Sequence, residues 1–164
     1  MYLDLNRYRK YVDDLAQTPF TPAVSTYFAL DAACEEFLAD GRDQRLLRYR
    51  IRNARLRAGL AQLGAYPLTQ TGRESHSVVT VSVPNGIEFA DFYERLKLRG
   101  FIVYGCKSVL EGRFFQVANM GEVSEDVIDS FLRAAKEVIG EIRCAATVAM
   151  ESRALQPNLE TTSR

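Results

Sequence analysis

The residues of this chain that could carry out chemistry are few and widely separated. His76 is the only histidine, and without a second imidazole or a clustered acid it predicts neither a metal site nor a His-based nucleophile pair. Cys106 lies beside Lys107, whose charge could lower the pKa of the thiol, but no partner histidine is evident. The phosphate-binding patterns G-x-G-x-x-G and G-x-x-x-x-G-K-[ST] are absent from the sequence. These residue types therefore predict no self-contained catalytic site and no metal site.

A dense group of arginines is the strongest local charge signal. Seven arginines fall between Arg42 and Arg57, against the single acid Asp43. Such a density of positive charge is enough to grip a phosphate backbone. Most of these arginines nevertheless follow one exposed helical stripe, and a solvated helix face that pairs with acids from elsewhere is the more common arrangement. We therefore expect no nucleic acid partner.

Length and composition limit the class of protein. The chain has 164 residues, 47% of them apolar, and its 21 Lys and Arg balance 21 Asp and Glu. This suits one globular domain and gives no net charge for a general attraction to nucleic acid or acidic membranes. No stretch approaches the roughly 20 apolar residues of a membrane span, and the first residues lack the features of a signal peptide. Three cysteines without CxxC spacing argue against a disulfide framework, so we expect a cytoplasmic protein with no membrane partner.

Two helices are expected before any strand. Apolar residues at helical spacing follow Thr21 and Pro22 and stop at Gly41. Thr21 could cap free backbone amides there, and Pro at the first helical position sacrifices no hydrogen bond. A second run with this spacing fills residues 42–63. The segment 1–20 carries several apolar residues but is too short to bury them alone, so it is expected to pack on something outside the chain.

The second half of the chain changes from helical to alternating periodicity. Residues 77–83 are β-branched and alternating, which predicts a strand. A helix closed by Gly100 follows, then short strands at 101–104 and 114–118, and a last helix that Ser124 caps and that buries Val127. The order α-α-β-α-β-β-α predicts an α+β fold, with a small antiparallel or mixed sheet covered by helices. Residues 153–164 are expected to form a disordered tail.

Two stretches of sequence resemble one family of enzymes. The string YLDLNRYRKYVDDLAQTPFTPAV is similar to the middle of the class V, fold-type I pyridoxal-phosphate aminotransferases. The string RGFIVYGCKSVLEGRFFQVANMGEVSEDVIDSFLRAAKEVI is similar to their C-terminal region, and most similar to that of the 2-aminoethylphosphonate–pyruvate transaminases. The resemblance implies that residues 1–20 are a remnant of the large-domain and interface segment. It implies that residues 21–152 form the C-terminal small domain of such an enzyme.

Pyridoxal 5'-phosphate is the cofactor that this resemblance implies. The family's cofactor lysine stands in a Ser-x-x-Lys segment upstream of the matched region, and none of Lys10, Lys97, Lys107 and Lys136 stands in that context. Because a Schiff base needs a lysine amine buried against the cofactor ring, the resemblance implies no catalytic residue in this chain and no transamination by the chain alone.

The implied partners follow from the same family. They are a missing large domain or homologous subunit, a second copy in a homo-oligomer, and a small amine and an oxo acid as substrates. The amino group would pass from an aminoalkylphosphonate or a similar amine to pyruvate. The alternative is a non-catalytic interaction module, or a remnant, that docks on a full-length homologue.

Gln17 and Thr18 are the candidate cofactor-binding residues under this resemblance. They match a loop that reaches across the dimer to the partner's cofactor phosphate, which they could hold through an amide, a hydroxyl and main-chain N–H groups. The open alternative is that Thr18 and Thr21 merely cap the helix that follows.

Gln116 is the candidate substrate-binding residue. Phosphonate transaminases usually have an arginine at this position, which binds a substrate carboxylate by two charge-assisted bonds, whereas an amide offers weaker, neutral ones. Arg113 could substitute for that arginine, although strand alternation sends it to the opposite face from Gln116. Lys107 matches the lysine of a family turn, where a conformational role and a ligand contact both remain open.

Overall fold

A computed structural model describes residues 3–154 of this chain, with the side chains of residues 3–151. The described residues form two compact units, one that runs to Arg45 and one that begins at Leu46. The boundary expected between residues 20 and 21 rests on resemblance to a larger enzyme and stays a prediction. Of the expected tail, residues 153 and 154 end the last helix and the others lie outside the described residues. None of the described helices is both long enough and apolar enough to cross a membrane.

The first unit opens with a helix that the sequence pattern did not predict. Helix α1 spans Leu5–Leu15, and the carboxylate of Asp4 caps it by accepting hydrogen bonds from the backbone N–H groups of Asn6 and Arg7, at 3.1 and 3.2 Å. The helix ends at Ala16, whose φ of 49° lies in the left-handed region. A side-chain cap at one end and a left-handed residue at the other therefore define this short helix.

Aromatic contacts bury part of the apolar surface of this segment. Tyr8 and Phe20 are half-buried, with ring centroids 6.2 Å apart, and the guanidinium of Arg7 lies 5.1 Å from the Phe20 ring centroid. Tyr8, one of the apolar residues expected to pack on something outside the chain, therefore has a partner within the segment, whereas Leu3, Leu5 and Val12 are exposed.

Helix α2 spans Val24–Asp40, so the start predicted at Thr21 and Pro22 lies too early. Its N-cap is Ala23, whose carbonyl accepts hydrogen bonds from the N–H groups of Thr26 and Tyr27, and no side chain caps this end. The predicted end is confirmed, because Gly41 follows the helix with a φ of 80° that favours glycine.

Helix α2 buries none of its residues. Several large apolar side chains on it are exposed, and Phe28 is 71% exposed. These side chains are Val24, Tyr27, Phe28, Leu30, Phe37 and Leu38. Single exposed apolar residues are ordinary, but a concentration of them on one helix is typical of a contact surface.

The second unit has the predicted α+β architecture. Helix α3 (Arg42–Gln62) begins in the first unit and continues into the second, close to the predicted range 42–63. The elements that follow are strand β1 (Val78–Ser82), helix α4 (Phe89–Leu98), strand β2 (Tyr104–Gly105), a short 3₁₀ helix (Ser108–Leu110), strand β3 (Phe114–Ala118) and helix α5 (Glu125–Ala154). The three strands form one antiparallel sheet in the order β1-β3-β2.

Strand β2 is shorter than predicted and lies at the end of the expected range 101–104. Only Tyr104 and Gly105 pair with β3. Phe101 and Val103 are apolar because they pack into the core from the segment before the strand, the Phe101 ring lying 5.6 Å from that of Phe131. The apolar pattern of this segment comes from packing into the core and not from strand pairing, so the strand predicted from it began too early.

The core lies between one face of the sheet and the helices. Its strand residues are Val79, Val81 and Phe115, none of them more than 1% exposed. The helices add Leu56, Leu60, Phe92, Leu96, Ile128, Phe131, Ala135 and Val138, among others. The opposite sheet face carries Thr80 and Gln116, which are only partly buried.

Helix α5 is long and is buried over only part of its length. Ser124 caps it as predicted, its hydroxyl oxygen accepting a hydrogen bond from the N–H of Val127 at 3.4 Å. The prediction that Val127 is buried is wrong, because its side chain is 47% exposed and lines an open apolar cleft of about 190 Å³ at the rim of the core. Beyond Ile142, every side chain described on this helix is exposed.

Candidate functional site

Three polar side chains form a row across the open face of the sheet. Thr80 on β1 and Tyr104 on β2 are both the direct partners of Gln116 on the central strand β3. Gln116 donates a hydrogen bond from Nε2 to Oγ1 of Thr80 at 3.2 Å. Tyr104 is 64% exposed, so its phenol is open to solvent. The sheet register therefore places a hydroxyl, an amide and a phenol side by side.

The chemistry of this row is hydrogen bonding without charge. The bond from Gln116 occupies one amide hydrogen and leaves the second for a ligand. Thr80 accepts that bond and keeps its own hydroxyl hydrogen free to donate. The row offers neutral donors to an oxygen of a ligand, and these bind a carboxylate more weakly than a guanidinium does.

Arg113 does not join this row. It immediately precedes β3, where the N–H of Val83 donates to its carbonyl at 2.8 Å, and it belongs to the same alternation as buried Phe115. Its guanidinium lies 5.8 Å from the ring centroid of Phe114, in a cleft of about 350 Å³ that Asn85 also lines. The Arg113 guanidinium therefore lies against Phe114 and outside the register row that contains Gln116.

Gln17 and Thr18 lie in the first unit and are both exposed. The Thr18 hydroxyl donates to the carbonyl of Phe20 at 2.7 Å, and the Gln17 N–H donates to the carbonyl of Tyr11 at 3.3 Å. Neither Thr18 nor Thr21 caps helix α2, so the capping alternative is wrong. The exposed Gln17 amide suits a phosphate, whereas the Thr18 hydroxyl would have to exchange its bond to Phe20 for one to the ligand.

Each of the four lysines of the chain is exposed. Lys97 lies 3.6 Å from a carboxylate oxygen of Glu94, and Lys107 lines an open cleft of about 280 Å³ beside Tyr104. A lysine that forms a Schiff base with a cofactor is held in a desolvated site, and these positions do not provide one.

Partial burial of Cys106 works against a role as a nucleophile. Desolvation raises the pKa of its thiol above the ordinary value, which is the opposite of the lowering that the neighbouring Lys107 suggested. Its N–H donates to the carbonyl of Phe114 at 3.1 Å, just beyond the two residues of β2 that pair with β3. Cys106 thus behaves as a structural residue.

A buried polar cluster behind the sheet was not predicted from the sequence. Asn53 on α3 donates to Oδ1 of Asn119 at 3.2 Å, and both side chains are 1% or less exposed. Asn119 donates in turn to the carbonyls of Tyr49 and His76, at 3.2 and 3.1 Å. The available signal was that Asn53 interrupts the apolar face of α3 one turn before Leu56. This cluster ties α3 to the end of β3.

Arginines of α3 also connect this helix to later parts of the chain. Arg55 contacts Glu125 and Asp129 on α5, at 2.6 and 2.5 Å. Arg52 donates to the carbonyl of Gly121, and Arg50 donates to Nε2 of His76. The expectation that arginines of this stripe pair with acids from elsewhere is confirmed for Arg55.

Curated relatives match most of the chain. It is 31% identical over 144 residues to an uncharacterized aminotransferase of Methanocaldococcus jannaschii. It is 32% identical over 144 residues to the small subunit of a soluble hydrogenase of Synechococcus sp., and 29% identical over 143 residues to a 2-aminoethylphosphonate–pyruvate transaminase of Pseudomonas putida. The matches cover 85–87% of this chain and 35–39% of the relatives. The chain thus spans little more than a third of the length of these relatives, and no family model matches it.

Solved structures give the same fold. An alanine–glyoxylate aminotransferase of Nostoc sp. superposes with a TM-score of 0.78 at 23% identity, over 84% of this chain and 37% of that one. An aspartate aminotransferase of Thermus thermophilus superposes with a TM-score of 0.71 at 27% identity, over 86% of this chain and 39% of that one. Sequence and fold together identify this chain as a homologue of the fold-type I pyridoxal-phosphate aminotransferases.

Proposed function

We propose that this chain supplies one domain of a pyridoxal-phosphate-dependent aminotransferase. The observation that carries the proposal is the match of about 85% of the chain to transaminases such as that of Pseudomonas putida. In the proposed reaction, the amino group of an aminoalkylphosphonate or a similar small amine passes to pyruvate or a related oxo acid. The composition of the chain leads us to place the protein in the cytoplasm.

In this reaction, residues of this chain would bind and orient the cofactor and the substrate. When bound, the cofactor supplies an electron sink for the bonds at the reacting carbon. Gln17 and the backbone next to it would hold the phosphate of the cofactor, and Thr18 would contribute after giving up its bond to Phe20. Gln116, with Thr80 beside it, would bind a substrate oxygen through neutral hydrogen bonds. A buried lysine that binds the cofactor would come from a segment outside residues 1–164.

Reconstitution tests this division of labour. The chain is mixed with a Pseudomonas putida transaminase lacking its matching 143 residues, and pyruvate consumption with 2-aminoethylphosphonate is measured. We expect turnover only when both parts are present, because the four lysines of this chain are all exposed. The chain alone, incubated with pyridoxal phosphate, should show no saturable visible absorbance band. Reductive trapping of the cofactor on one specific lysine of this chain would contradict the proposal.

A docking role is the second candidate, and the exposed apolar side chains of α2 favour it. Tyr27 and Phe28 are 59% and 71% exposed, and a surface of this kind is typical of a contact with another chain. In this candidate function the chain associates with a second copy of itself, or with a full-length homologue, and does no chemistry of its own.

Sedimentation at several concentrations tests the association. The unchanged chain should sediment as a concentration-dependent mixture of monomer and larger species. Phe28→Ser should weaken that association about tenfold or more, since a large buried apolar side chain contributes roughly 1.5–3 kcal/mol. Leu98→Ser is the matched control, because Leu98 is 86% exposed on a helix of the second unit. A monomer at every concentration, or equal effects of the two substitutions, would contradict the docking role of α2.

A further inference from the structure

A cleft between the end of α3 and the middle of α5 is lined by two cations and by no acid. Its volume is about 490 Å³, within the roughly 300–1,000 Å³ range of small-molecule sites. The residues of its wall that could contact a ligand are Gln62, Gly64, Tyr66, Lys136, Gly140 and Arg143. The cleft includes none of the residues assigned above to the cofactor or the substrate.

Lys136 and Arg143 lie seven residues apart on α5, two helical turns along the same face. The ion pairs among the described residues involve neither of them. The two acids on the adjoining face of α5 face other cations: Glu141 lies 2.5 Å from a nitrogen of Arg99 and 3.6 Å from one of Arg95, and Glu137 lies 4.0 Å from Arg99. The cleft therefore concentrates positive charge, which attracts an anion.

Gly140 lies between the two cations on α5 and lines the same cleft. Glycine in a helix interior costs about 1 kcal/mol relative to alanine. Close packing explains such a residue at Gly59, where an added Cβ would lie 2.4 Å from Cδ1 of Leu132. A Cβ at Gly140 would meet nothing within 4 Å. The missing side chain at Gly140 thus serves no packing contact in this chain, and it leaves open space between two positive charges.

We propose that this cleft binds a phosphate group of a small molecule. A phosphate has enough oxygens to accept from the guanidinium of Arg143 and the ammonium of Lys136 together. The phenol of Tyr66 and the amide of Gln62 supply neutral donors at the same wall. A single carboxylate would be satisfied by Arg143 alone, so the pair of cations favours the phosphate.

Inorganic phosphate is the probe for this site. It is titrated at constant ionic strength into the full chain labelled with ¹⁵N, and the backbone amide resonances are followed. We expect saturable shifts centred on Gly140 and Arg143. Lys136→Gln and Arg143→Gln should each weaken binding about tenfold, because each removes one charge-assisted hydrogen bond.

Two further variants separate a built site from general charge attraction. Arg133→Gln removes an exposed positive charge from the same helix outside the cleft, and it should change the affinity by less than about twofold. Gly140→Leu keeps both cations but fills the open space at Gly140, and it should abolish saturable binding while thermal melting shows an intact fold. Shifts that stay linear in phosphate, an equal loss in Arg133→Gln, or unchanged binding by Gly140→Leu would each overturn the proposal.

Discussion

Replacing Phe115 with alanine should lower the free energy of unfolding of the second unit by about 3–5 kcal/mol. The side chain is fully buried on the central strand, with ring centroids 6.0 Å from Phe89 and 5.5 Å from Phe92. Its removal loses the transfer free energy of the ring and leaves a cavity that neighbours on the sheet and on α4 fill only in part. Urea denaturation followed by circular dichroism measures the loss.

The adjacent residue provides the control for this prediction. Phe114 has the same chemistry but lies on the other face of β3, where it is only partly buried and stacks with Arg113. Phe114→Ala should cost about 1 kcal/mol, mostly from the lost cation–π contact. If the two substitutions destabilise the protein equally, the core does not lie on the face that contains Phe115.

Replacing Asn119 with alanine should cost roughly 2–4 kcal/mol. The side chain makes three hydrogen bonds: a buried one as acceptor from Asn53, and two part-buried ones as donor to the carbonyls of Tyr49 and His76. Its loss leaves the buried Asn53 amide without its acceptor, and Oδ1 of Asn53 has no partner already. A buried polar group that loses its partner incurs the full cost of its desolvation. Thermal and urea unfolding measure this change.

The ranking of two substitutions makes the test sharper. Asn53→Ala breaks only one of the bonds and also removes the unpartnered Oδ1, so it should destabilise the protein less than Asn119→Ala does. Asn85→Ala, at an exposed turn, should change stability by less than about 0.5 kcal/mol. A larger effect at Asn53 than at Asn119 would show that the carbonyl bonds of Asn119 contribute little.

The elements that the sequence predicted well are those whose pattern comes from burial on one face. Alternation places Val79 and Val81 inward on β1, and its predicted range differs from the observed strand by a single residue at each end. The predicted range of β3 agrees with the observed strand. In both cases one face of the strand is buried, so the periodicity of the sequence is set by the fold.

The elements that were mispredicted depend on contacts that leave no periodic trace. Helix α1 is fixed by the Asp4 cap and a left-handed Ala16, in a run of charged residues with no buried side chain. Helix α2 has an alanine at its N-cap, so the Thr-Pro pair before it pointed to the wrong start. Neither helix has a buried residue. Hydrophobic periodicity is therefore least informative in this unit.

The sequence predicted one residue of the candidate site but not the neighbours that complete it. Comparison with a family motif singled out Gln116, whereas Thr80 and Tyr104 join it only because the strand register aligns residues that are distant in sequence. The Asn53–Asn119 pair depends in the same way on a contact between positions 66 residues apart. Pairings of this range become visible only in three dimensions.

The overhang of helix α5 beyond Ile142 divides a single continuous helix into parts with different lifetimes. Up to Ile142 the helix contributes buried residues to the core, so its amide hydrogens exchange only when the second unit opens. From Arg143 to Glu151 all side chains are exposed, and a helical segment this short is marginal in water without tertiary contacts. Its hydrogen bonds therefore break and re-form independently of the core, and protection from solvent exchange falls within about one turn. A protease would cut this end of the helix while the remainder stays folded.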